Sequence, residues 1–368
     1  MSLKNLIFIF VFIAAISFFV YSCRNLVRYM LLAKKKDNRF DNIGERIPKV
    51  ITIAFGQSKL LRDPIAGIIH FVIFWGFMLF LFAVVESILQ GFYTPFTLSF
   101  LGSFYSLITL VQDVFGALVI LAVLLSLLRR FVFKVKRLEV DKSGKLDAVI
   151  ILMLILIVCV SMFIQNAGHV ALQNFILSDN ESRPISSILA SYFFINSYQA
   201  RLPYEIFWWI HILAIFSFLN YLPYSKHLHV LTSIPNTFFA NLNEKRNTLQ
   251  PLNLEDETAE SFGAADIEHL SWKQILDSYS CTECGRCTDA CPANFVGKSL
   301  SPRKIIVDIR KRTTDKAPLI LNGVNENEIL TKTLVHDYIT DAELWACTTC
   351  GACVQECPVM IEHLDSII

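Results

Sequence analysis

Residues 281–292 read Cys281-Thr-Glu-Cys284-Gly-Arg-Cys287-Thr-Asp-Ala-Cys291-Pro292, and residues 347–358 repeat the pattern as Cys347-Thr-Thr-Cys350-Gly-Ala-Cys353-Val-Gln-Glu-Cys357-Pro358. In this C-x-x-C-x-x-C-x-x-x-C-P spacing, three thiolates of one loop hold an iron–sulfur cube and the fourth holds the other cube. The sequence therefore predicts two [4Fe-4S] clusters with crossed ligands: Cys281, Cys284, Cys287 and Cys357 for cluster one, and Cys347, Cys350, Cys353 and Cys291 for cluster two. Zinc sites or disulfides are the alternative, but a zinc site takes four ligands and does not require two interlocked runs of this pattern.

The rest of the chain is more apolar than an ordinary soluble protein. Of its 368 residues, 54% are hydrophobic and 30 are Phe, and the mean hydropathy is +0.49. This composition predicts a membrane protein in contact with lipid. The net charge of +1 gives no reason to expect nucleic-acid binding. Because cluster ligands must stay as thiolates, the cysteine-rich part belongs in a reducing compartment.

Five apolar runs predict membrane-spanning helices at residues 6–21, 64–89, 105–128, 146–165 and 203–222. The second run opens with Asp63 and Pro64, which predict a helix N-cap and first turn. Basic residues follow the first and third runs, so these ends face the cytoplasm and the N-terminus faces out. A signal sequence ending near Cys23 is the alternative for the first run, but signal peptides carry their positive charge before the apolar region.

We therefore expect an all-α protein with three parts: a five-helix transmembrane bundle in residues 1–235, a polar linker in 236–270, and a cytoplasmic α-helical two-[4Fe-4S] ferredoxin domain in 271–368. Ser271 is predicted to open a short helix, Ser301-Pro302 a basic helix, and Thr340-Asp-Ala-Glu343 a capping box. Since the chain stops soon after Cys357, we expect either a separate partner subunit or a longer protein of which this is the N-terminal part.

Histidines in the apolar runs predict haem, since a buried His in a span is costly and usually functional. His211 and His229 are 18 residues apart, so one continuous helix would place them on the same face about 27 Å apart. His70 lies near the cytoplasmic end of its span, and we expect His70 and His229 to ligate an inner haem b, with His227 as the alternative to His229. His211 and His169 are candidates for an outer haem; alternatively, His211 is a quinone ligand or a structural residue.

Polar residues also collect in the outer half of the predicted bundle: Glu86, Gln112, Asp113, Gln165 and Asn166. Polar groups at membrane depth often mark a site, and carboxylates can accept the protons of a quinol. We therefore predict a quinone site near Glu86, Asp113 and His211, with the two carboxylates in the catalytic role. Each of these residues alone could equally be structural.

The segment Trp208-Trp-Ile-His211, with Tyr221-Leu-Pro-Tyr-Ser-Lys-His-Leu-His229 after it, resembles the membrane cytochrome b module of heterodisulfide-reductase-related proteins. That module is similar to the gamma subunit of respiratory nitrate reductase. The resemblance implies two haem-ligating histidines at the separation of His211 and His229. It also implies a partner with cysteine-rich CCG modules. The gamma subunit has a further haem ligand in span two, where this chain has Phe80.

Together these features predict an oxidoreductase of the bacterial cytoplasmic membrane. It would carry electrons between membrane quinone and a cytoplasmic partner through one or two b haems and two [4Fe-4S] clusters. The expected partner is a CCG-type cysteine-rich subunit or a flavoprotein. Two alternatives remain open: an anchor and relay subunit without its own quinone site, and a membrane redox sensor.

Overall fold

The computed structural model describes residues 2–178, 180–242, 249, 255, 263–324 and 326–368. Among these residues the regular structure is helical, apart from two isolated backbone bridges, in agreement with the predicted all-α class. The chain divides into two compact units. The membrane unit comprises the chain up to Tyr21, Asp63–Lys134 and Asp141–Tyr221; the cysteine unit comprises Ser22–Arg62, Val135–Val140 and Leu222–Ile368. This division differs from the predicted boundary at residue 235.

Among the described residues up to Tyr221, the α-helices are α1 (Leu3–Met30), α2 (Ile43–Lys49), α3 (Pro64–Phe92), α4 (Ser103–Phe131), α5 (Lys142–Leu172), α6 (Pro184–Phe193) and α7 (Ser197–Tyr221). A π-helical segment, Val50–Phe55, continues α2, and short 3₁₀ turns lie at Leu98–Leu101 and Lys136–Leu138. The helices α1, α3, α4, α5 and α7 are long and apolar enough to cross a membrane. They correspond to the five predicted spans, each longer than its apolar run.

Local sequence signals set where α3 begins and how closely it packs. The Asp63 side chain accepts a hydrogen bond from the Ala66 amide at 3.3 Å, and Pro64 occupies the first turn. This N-cap is the one predicted from the sequence. Farther along α3, a Cβ at Gly76 would overlap the Val119 side chain of α4. Glycine therefore allows these two helices to approach closely.

The helix α6 was not predicted. It begins at Pro184 and packs Ala190 against Ala167 and Ala171 of α5. Its other face exposes apolar side chains, including Tyr192 at 84%. The helix is too short to span a membrane, since a span needs roughly 20 residues.

Within the described residues after Tyr221, the α-helices are α8 (His229–Phe238), α9 (Trp272–Ser280), α10 (Arg286–Asp289), α11 (Pro292–Phe295), α12 (Pro302–Leu321), α13 (Glu328–Thr331), α14 (Asp341–Trp345), α15 (Ala352–Glu356) and α16 (His363–Ile367). Short 3₁₀ turns lie at Leu222–Tyr224, Lys226–Leu228 and Ile267–His269. The predicted helix starts are confirmed: Ser271 and Thr340 form capping boxes, and the Ser301 side chain caps α12. Most of the predicted linker lies outside the described residues.

The core of the cysteine unit is built around one face of α12. Ile305, Ile306 and Ile309 are fully buried there. Arg312, on the same helix, is also buried, and its guanidinium pairs with Asp266 at 2.6 Å. Because an unpaired buried charge is costly, this ion pair fixes the segment that precedes α9 against α12.

The chain between α7 and α8 corrects one sequence argument. The helix α7 ends at Tyr221, two 3₁₀ turns follow, and α8 begins at His229. Pro223 has no amide hydrogen to continue a helix, and the Ser225 hydroxyl accepts a bond from the His227 amide at 3.1 Å. His211 and His229 therefore lie on different helices, and the expectation that they share one helical face is wrong.

Candidate functional site

The two cysteine loops have the same backbone conformation. Glu283 and Gly285 in the first loop have φ angles of 57° and 78°, and Thr349 and Gly351 in the second have 55° and 70°. These residues occupy equivalent positions in the repeated motif. Each loop thus turns twice through the left-handed region, which only glycine adopts without cost, and wraps its first two cysteines around a common centre.

The second loop and Cys291 of the first motif surround one small cavity. Its lining includes Cys291, Cys347, Cys350 and Cys353, with apolar walls from Leu300, Pro302, Leu364 and Ile367. These cysteines are the four predicted ligands of cluster two. Cys291 is separated from the others by more than fifty residues of sequence, so the fold brings together a set that only the crossed assignment anticipates.

The remaining four cysteines influence one another electrostatically. Burial raises the pKa of Cys357 to about 12, and the thiol charges of Cys284 and Cys281 raise it further. The thiol of Cys287 is influenced by the same neighbours and by Cys357. Among the described residues, no group of three His, Cys, Asp or Glu side chains could hold a single metal ion.

The donor set fits iron–sulfur clusters. Burial likewise raises the pKa of Cys353 to about 12, with further contributions from the neighbouring thiols. Holding several such thiols as thiolates therefore requires a strong compensating positive charge, which cluster iron provides. Backbone amides also point at sulfur: Thr349 N lies 3.4 Å from Cys347 Sγ, and Ile361 N lies 3.4 Å from Cys357 Sγ. Such hydrogen bonds tune cluster potentials.

Two histidines lie beside the first cysteine loop within the cysteine unit. The rings of His227 and His229 are 5.0 Å apart, and His229 Nδ1 lies 2.9 Å from the Lys226 carbonyl oxygen. That bond requires Nδ1 to carry the proton, so Nε2 carries the lone pair that a metal would use. The charge of Arg310 acts on His229, and the same guanidinium donates to the Cys281 carbonyl at 3.0 Å. The predicted haem partner His70 is half-buried on α3 in the membrane unit.

The membrane unit contains a polar cavity of about 300 Å³. Six of the residues singled out from the sequence line it together: Glu86, Gln112, Gln165, Asn166, His169 and His211. Sequence reasoning missed Thr97, Tyr105, Glu181, Arg183 and Tyr204, which complete the wall. A volume of this size lies at the lower end of the range for small-molecule sites.

Glu86 is held as a hydrogen-bond acceptor. Its Oε1 accepts bonds from the Leu98 amide at 2.9 Å, from Thr97 Oγ1 at 3.1 Å and from the Tyr105 hydroxyl at 2.9 Å. Tyr105 also lies 3.1 Å from Oε2. These donors fix the orientation of the Glu86 carboxylate at the cavity wall.

Two atoms of the cavity wall are buried without a partner among the described residues. These are Gln165 Oε1, an acceptor, and Arg183 Nε, a donor. Across the cavity, His211 Nδ1 lies 3.0 Å from the Val158 carbonyl oxygen and 3.1 Å from Ser161 Oγ. Nδ1 therefore carries the ring proton, and Nε2 is the acceptor nitrogen. Because buried polar groups are rarely left unpaired, the cavity is suited to a ligand with both donor and acceptor oxygens.

Asp113 is placed differently from the expectation. It is buried, but it is not among the residues that line the cavity. Its carboxylate accepts bonds from the Ile185 amide at 2.6 Å, from the Ser186 amide at 3.2 Å and from the Ser186 hydroxyl. Asp113 thus caps the start of α6, a role that sequence reasoning could not find because α6 itself was not predicted.

His169 lies at the cavity wall with its Nε2 engaged by protein groups. Nε2 is 3.3 Å from Glu181 Oε2 and 3.0 Å from the side-chain amide of Gln173. Burial alone would raise the pKa of Glu181, but its hydrogen bond to His169 and the charges of His169 and Arg183 hold it below the usual value. His169 and His211 both line the cavity, and His169 contacts the Glu181 carboxylate.

Comparisons with known proteins agree with this arrangement. Residues 280–361 match the family described as "4Fe-4S dicluster domain", which contains all eight motif cysteines. Over 99% of this chain, the sequence is 35% identical to the Bacillus subtilis protein named "Probable iron-sulfur-binding oxidoreductase FadF", of which the match covers 54%. No solved structure matches the chain.

Two further relatives carry related names. The "EtfAB:quinone oxidoreductase" of Syntrophomonas wolfei is 31% identical over 96% of this chain and 52% of its own length. An iron–sulfur subunit of the CoB–CoM heterodisulfide reductase of Methanopyrus kandleri is 28% identical over 26% of this chain and 38% of its own length. The matches to the Bacillus subtilis and Syntrophomonas wolfei relatives include nearly all of this chain but only about half the length of each relative. It is therefore a homologue of iron–sulfur oxidoreductases and of heterodisulfide reductase iron–sulfur subunits, with a 4Fe-4S dicluster domain at residues 280–361.

Proposed function

We propose that this protein transfers electrons between membrane quinone and a soluble redox partner through two [4Fe-4S] clusters and haem b. The observation that carries the proposal is the polar cavity of the membrane unit, where Gln165 Oε1 and Arg183 Nε lack partners among the described residues. A quinol hydroxyl can donate to Gln165 Oε1, and an oxygen of either the quinol or the quinone can accept from Arg183 Nε. The name of the Syntrophomonas wolfei relative, a quinone oxidoreductase, supports the same substrate class.

In this proposal each motif cysteine ligates the cluster predicted from the crossed spacing. The clusters supply one-electron carriers, while the protein fixes their positions and surroundings. The left-handed turns at Gly285 and Gly351 shape the two loops. The amides of Thr349 and Ile361 donate to sulfur, and the apolar wall of Leu300, Leu364 and Ile367 limits water around cluster two.

The quinone ring is proposed to lie between Glu86 and His211. As a carboxylate held by three donors, Glu86 can accept a proton from a quinol hydroxyl. His211 Nε2 provides a second acceptor, because Nδ1–H is directed to the Val158 carbonyl. Asp113 has no part in this site, since its carboxylate caps α6.

Haem b remains part of the proposal, with His70 and His229 as ligands. The orientation of His229 supports it, since the bond from Nδ1 to Lys226 O leaves Nε2 as the coordinating nitrogen. The proximity of His229 to Arg310, which also binds the Cys281 carbonyl, would place this haem beside cluster one. For the outer cavity we favour quinone over a second haem, because His169 Nε2 is held by Glu181.

The proposed topology has the N-terminus outside and the dicluster domain in the cytoplasm of a bacterial inner membrane. The basic residues after the first and third spans support this orientation. In this topology successive spans run in opposite directions, so the cavity-lining residues of the 94–97 loop, together with Glu181 and Arg183, would lie at the same membrane face as the N-terminus. The soluble partner is proposed to be a CCG-type cysteine-rich subunit or a flavoprotein, and the EtfAB in one relative's name fits a protein donor.

The test is anaerobic mixing of the purified protein, in lipid nanodiscs, with a soluble quinol. We expect the clusters to become reduced, as followed by electron paramagnetic resonance. We also expect Glu86→Gln to slow this reduction roughly 10- to 100-fold, since it removes a proton acceptor. Glu205→Gln is the matched control, because Glu205 pairs with Lys4 and does not line the cavity.

The outcomes separate the three functions. Equal rates in wild type and Glu86→Gln would remove the quinone site from this cavity. Cluster reduction by a soluble donor but never by quinol would indicate an anchor and relay role. Clusters that change state with oxidant but support no sustained turnover with any donor would indicate a redox sensor.

A further inference from the structure

Four side chains of the cavity wall form a line of close contacts from a buried carboxylate to a half-exposed imidazole. The Tyr105 hydroxyl lies 2.9 Å from Glu86 Oε1 and 3.5 Å from Glu181 Oε1. The second oxygen of Glu181 lies 3.3 Å from His169 Nε2. Tyr105 is only 2% exposed and the Glu181 side chain 7%, whereas the His169 side chain is 33% exposed. The line therefore runs from the interior of the cavity to its mouth.

We propose that Tyr105, Glu181 and His169 conduct protons between the quinone site and the water at the mouth of the cavity. This inference rests on the proposed function, because it assigns a route to the protons of that reaction. None of these three residues is needed to bind the clusters. Tyr105 and Glu181 carry no sequence motif, and only the fold places Tyr105 next to Glu86 and Glu181 next to Tyr105.

The chemistry requires such a route. Oxidation of a quinol to a quinone releases two electrons and two protons. The electrons pass to the clusters, and the protons must leave the cavity. Reduction of a quinone takes up two electrons and two protons along the same routes. A proton that Glu86 takes from a quinol hydroxyl neutralises the carboxylate. Glu86 must lose this proton before the next turnover. A tyrosine hydroxyl both donates and accepts. Tyr105 can therefore take the proton of Glu86 while it gives its own proton to Glu181.

The step from Tyr105 to Glu181 is the longest in the line, at 3.5 Å, so we expect it to limit proton transfer. Arg183 Nη2, also 3.5 Å from the Tyr105 hydroxyl, adds a positive charge at this step. The other oxygen of Glu181 lies 3.3 Å from His169 Nε2, so His169 is the next group that a proton on Glu181 meets. Tyr204, whose ring lies 6.4 Å from that of His169, forms the adjacent wall.

The first test is Tyr105→Phe, which keeps the ring and removes only the hydroxyl. We expect quinol-driven cluster reduction to slow roughly 10- to 100-fold, with a larger solvent deuterium isotope effect and unchanged quinone affinity. Tyr221→Phe is the matched control: it removes another tyrosine hydroxyl bonded to a carboxylate, Asp147 at 2.7 Å, away from the cavity. It should change neither the rate nor the isotope effect. If Tyr105→Phe fails to fold, Glu181→Gln carries the same expectation.

The second test uses the exposed end of the line. His169→Ala should slow the reaction, and free imidazole in the buffer should restore the rate, because the position is open to solvent. Imidazole should not rescue Tyr105→Phe. A purely structural role for His169 would give no rescue, and that result would overturn the route through it.

These results distinguish the two proposals. If the wild-type clusters are not reduced by quinol, the proposed function fails and the proton route fails with it. If the wild type is active but Tyr105→Phe and Glu181→Gln match it in rate and isotope effect, the proton route is wrong while the quinone function stands.

Discussion

Gly285 gives a quantitative test of how the first cysteine loop is built. Its φ of +78° lies in the left-handed region, and a Cβ at this position would lie 3.1 Å from the Arg137 carbonyl carbon and closer still to its oxygen. That carbonyl cannot easily move, because it accepts a bond from Arg303 Nη1 at 2.9 Å. Gly285→Ala therefore adds a backbone clash to the dihedral strain.

Gly297 is the matched control for this substitution. Its φ is +85°, but a Cβ there would meet nothing within 4 Å. Both alanine variants incur a left-handed strain of about 1–2 kcal/mol. Only Gly285→Ala adds a steric cost, which we take as roughly 1–3 kcal/mol from overpacking in general.

The assay is thermal loss of the cluster absorbance, measured anaerobically for both variants. In a domain of about 150–250 residues, each kcal/mol lowers Tm by roughly 2–4 °C. Gly297→Ala should thus lose a few degrees and Gly285→Ala about twice as much, with less iron retained at purification. Equal losses in the two variants would show that the contact with Arg137 does not shape the loop.

Three further predictions follow from the structure. Asp113→Ala should lower the free energy of unfolding by roughly 2–4 kcal/mol, because it leaves the donors at the start of α6 unpaired, while quinol-driven cluster reduction per folded molecule stays unchanged; a slower rate with normal stability would return Asp113 to the quinone site. Cys291→Ser should remove the paramagnetic signal of cluster two and lower the iron content from about eight to about four per chain; loss of cluster one alone would refute the crossed assignment. Burial lowers the pKa of His363 to about 4, against about 6.5 in the unfolded chain. The contribution of His363 to the free energy of unfolding is therefore complete above pH 6.5 and falls by roughly 3 kcal/mol as the pH drops toward 4. The free energy of unfolding, measured against pH, should show this loss in wild type and not in His363→Gln, and parallel curves for the two proteins would contradict it.

Much of the architecture could be predicted because its signals are local. The repeated cysteine spacing indicated a domain with two 4Fe-4S clusters, and residues 280–361 match a dicluster family. Apolar runs indicated five helices long enough to cross a membrane. Caps at Asp63, Ser271 and Thr340 correctly marked helix starts. Each of these signals depends on side chains within a few residues of one another, so no knowledge of the fold was needed.

Local sequence signals could not predict whether one helix continues from His211 to His229. Pro223 was visible in the sequence as a residue that could change the register. Whether it kinks a helix or ends it depends on how the following turn is satisfied, and here Ser225 caps a new turn. The expected five-turn relation between the two histidines failed at this point, while His229 kept an orientation suited to coordination.

The composition of the cavity was decided by the tertiary structure alone. From the sequence, Glu86, Asp113 and His211 were equally plausible neighbours, because all three are polar residues in the same half of apolar spans. The fold turned Asp113 toward the amides of α6, and it brought Tyr105 to Glu86 and Glu181 to Tyr105 instead. Hydropathy and spacing specify how deep a residue lies in a helix, but which faces of separate helices meet depends on packing between distant segments. The sequence therefore determines where these groups lie along their helices, and their chemistry as a site arises only when the helices assemble.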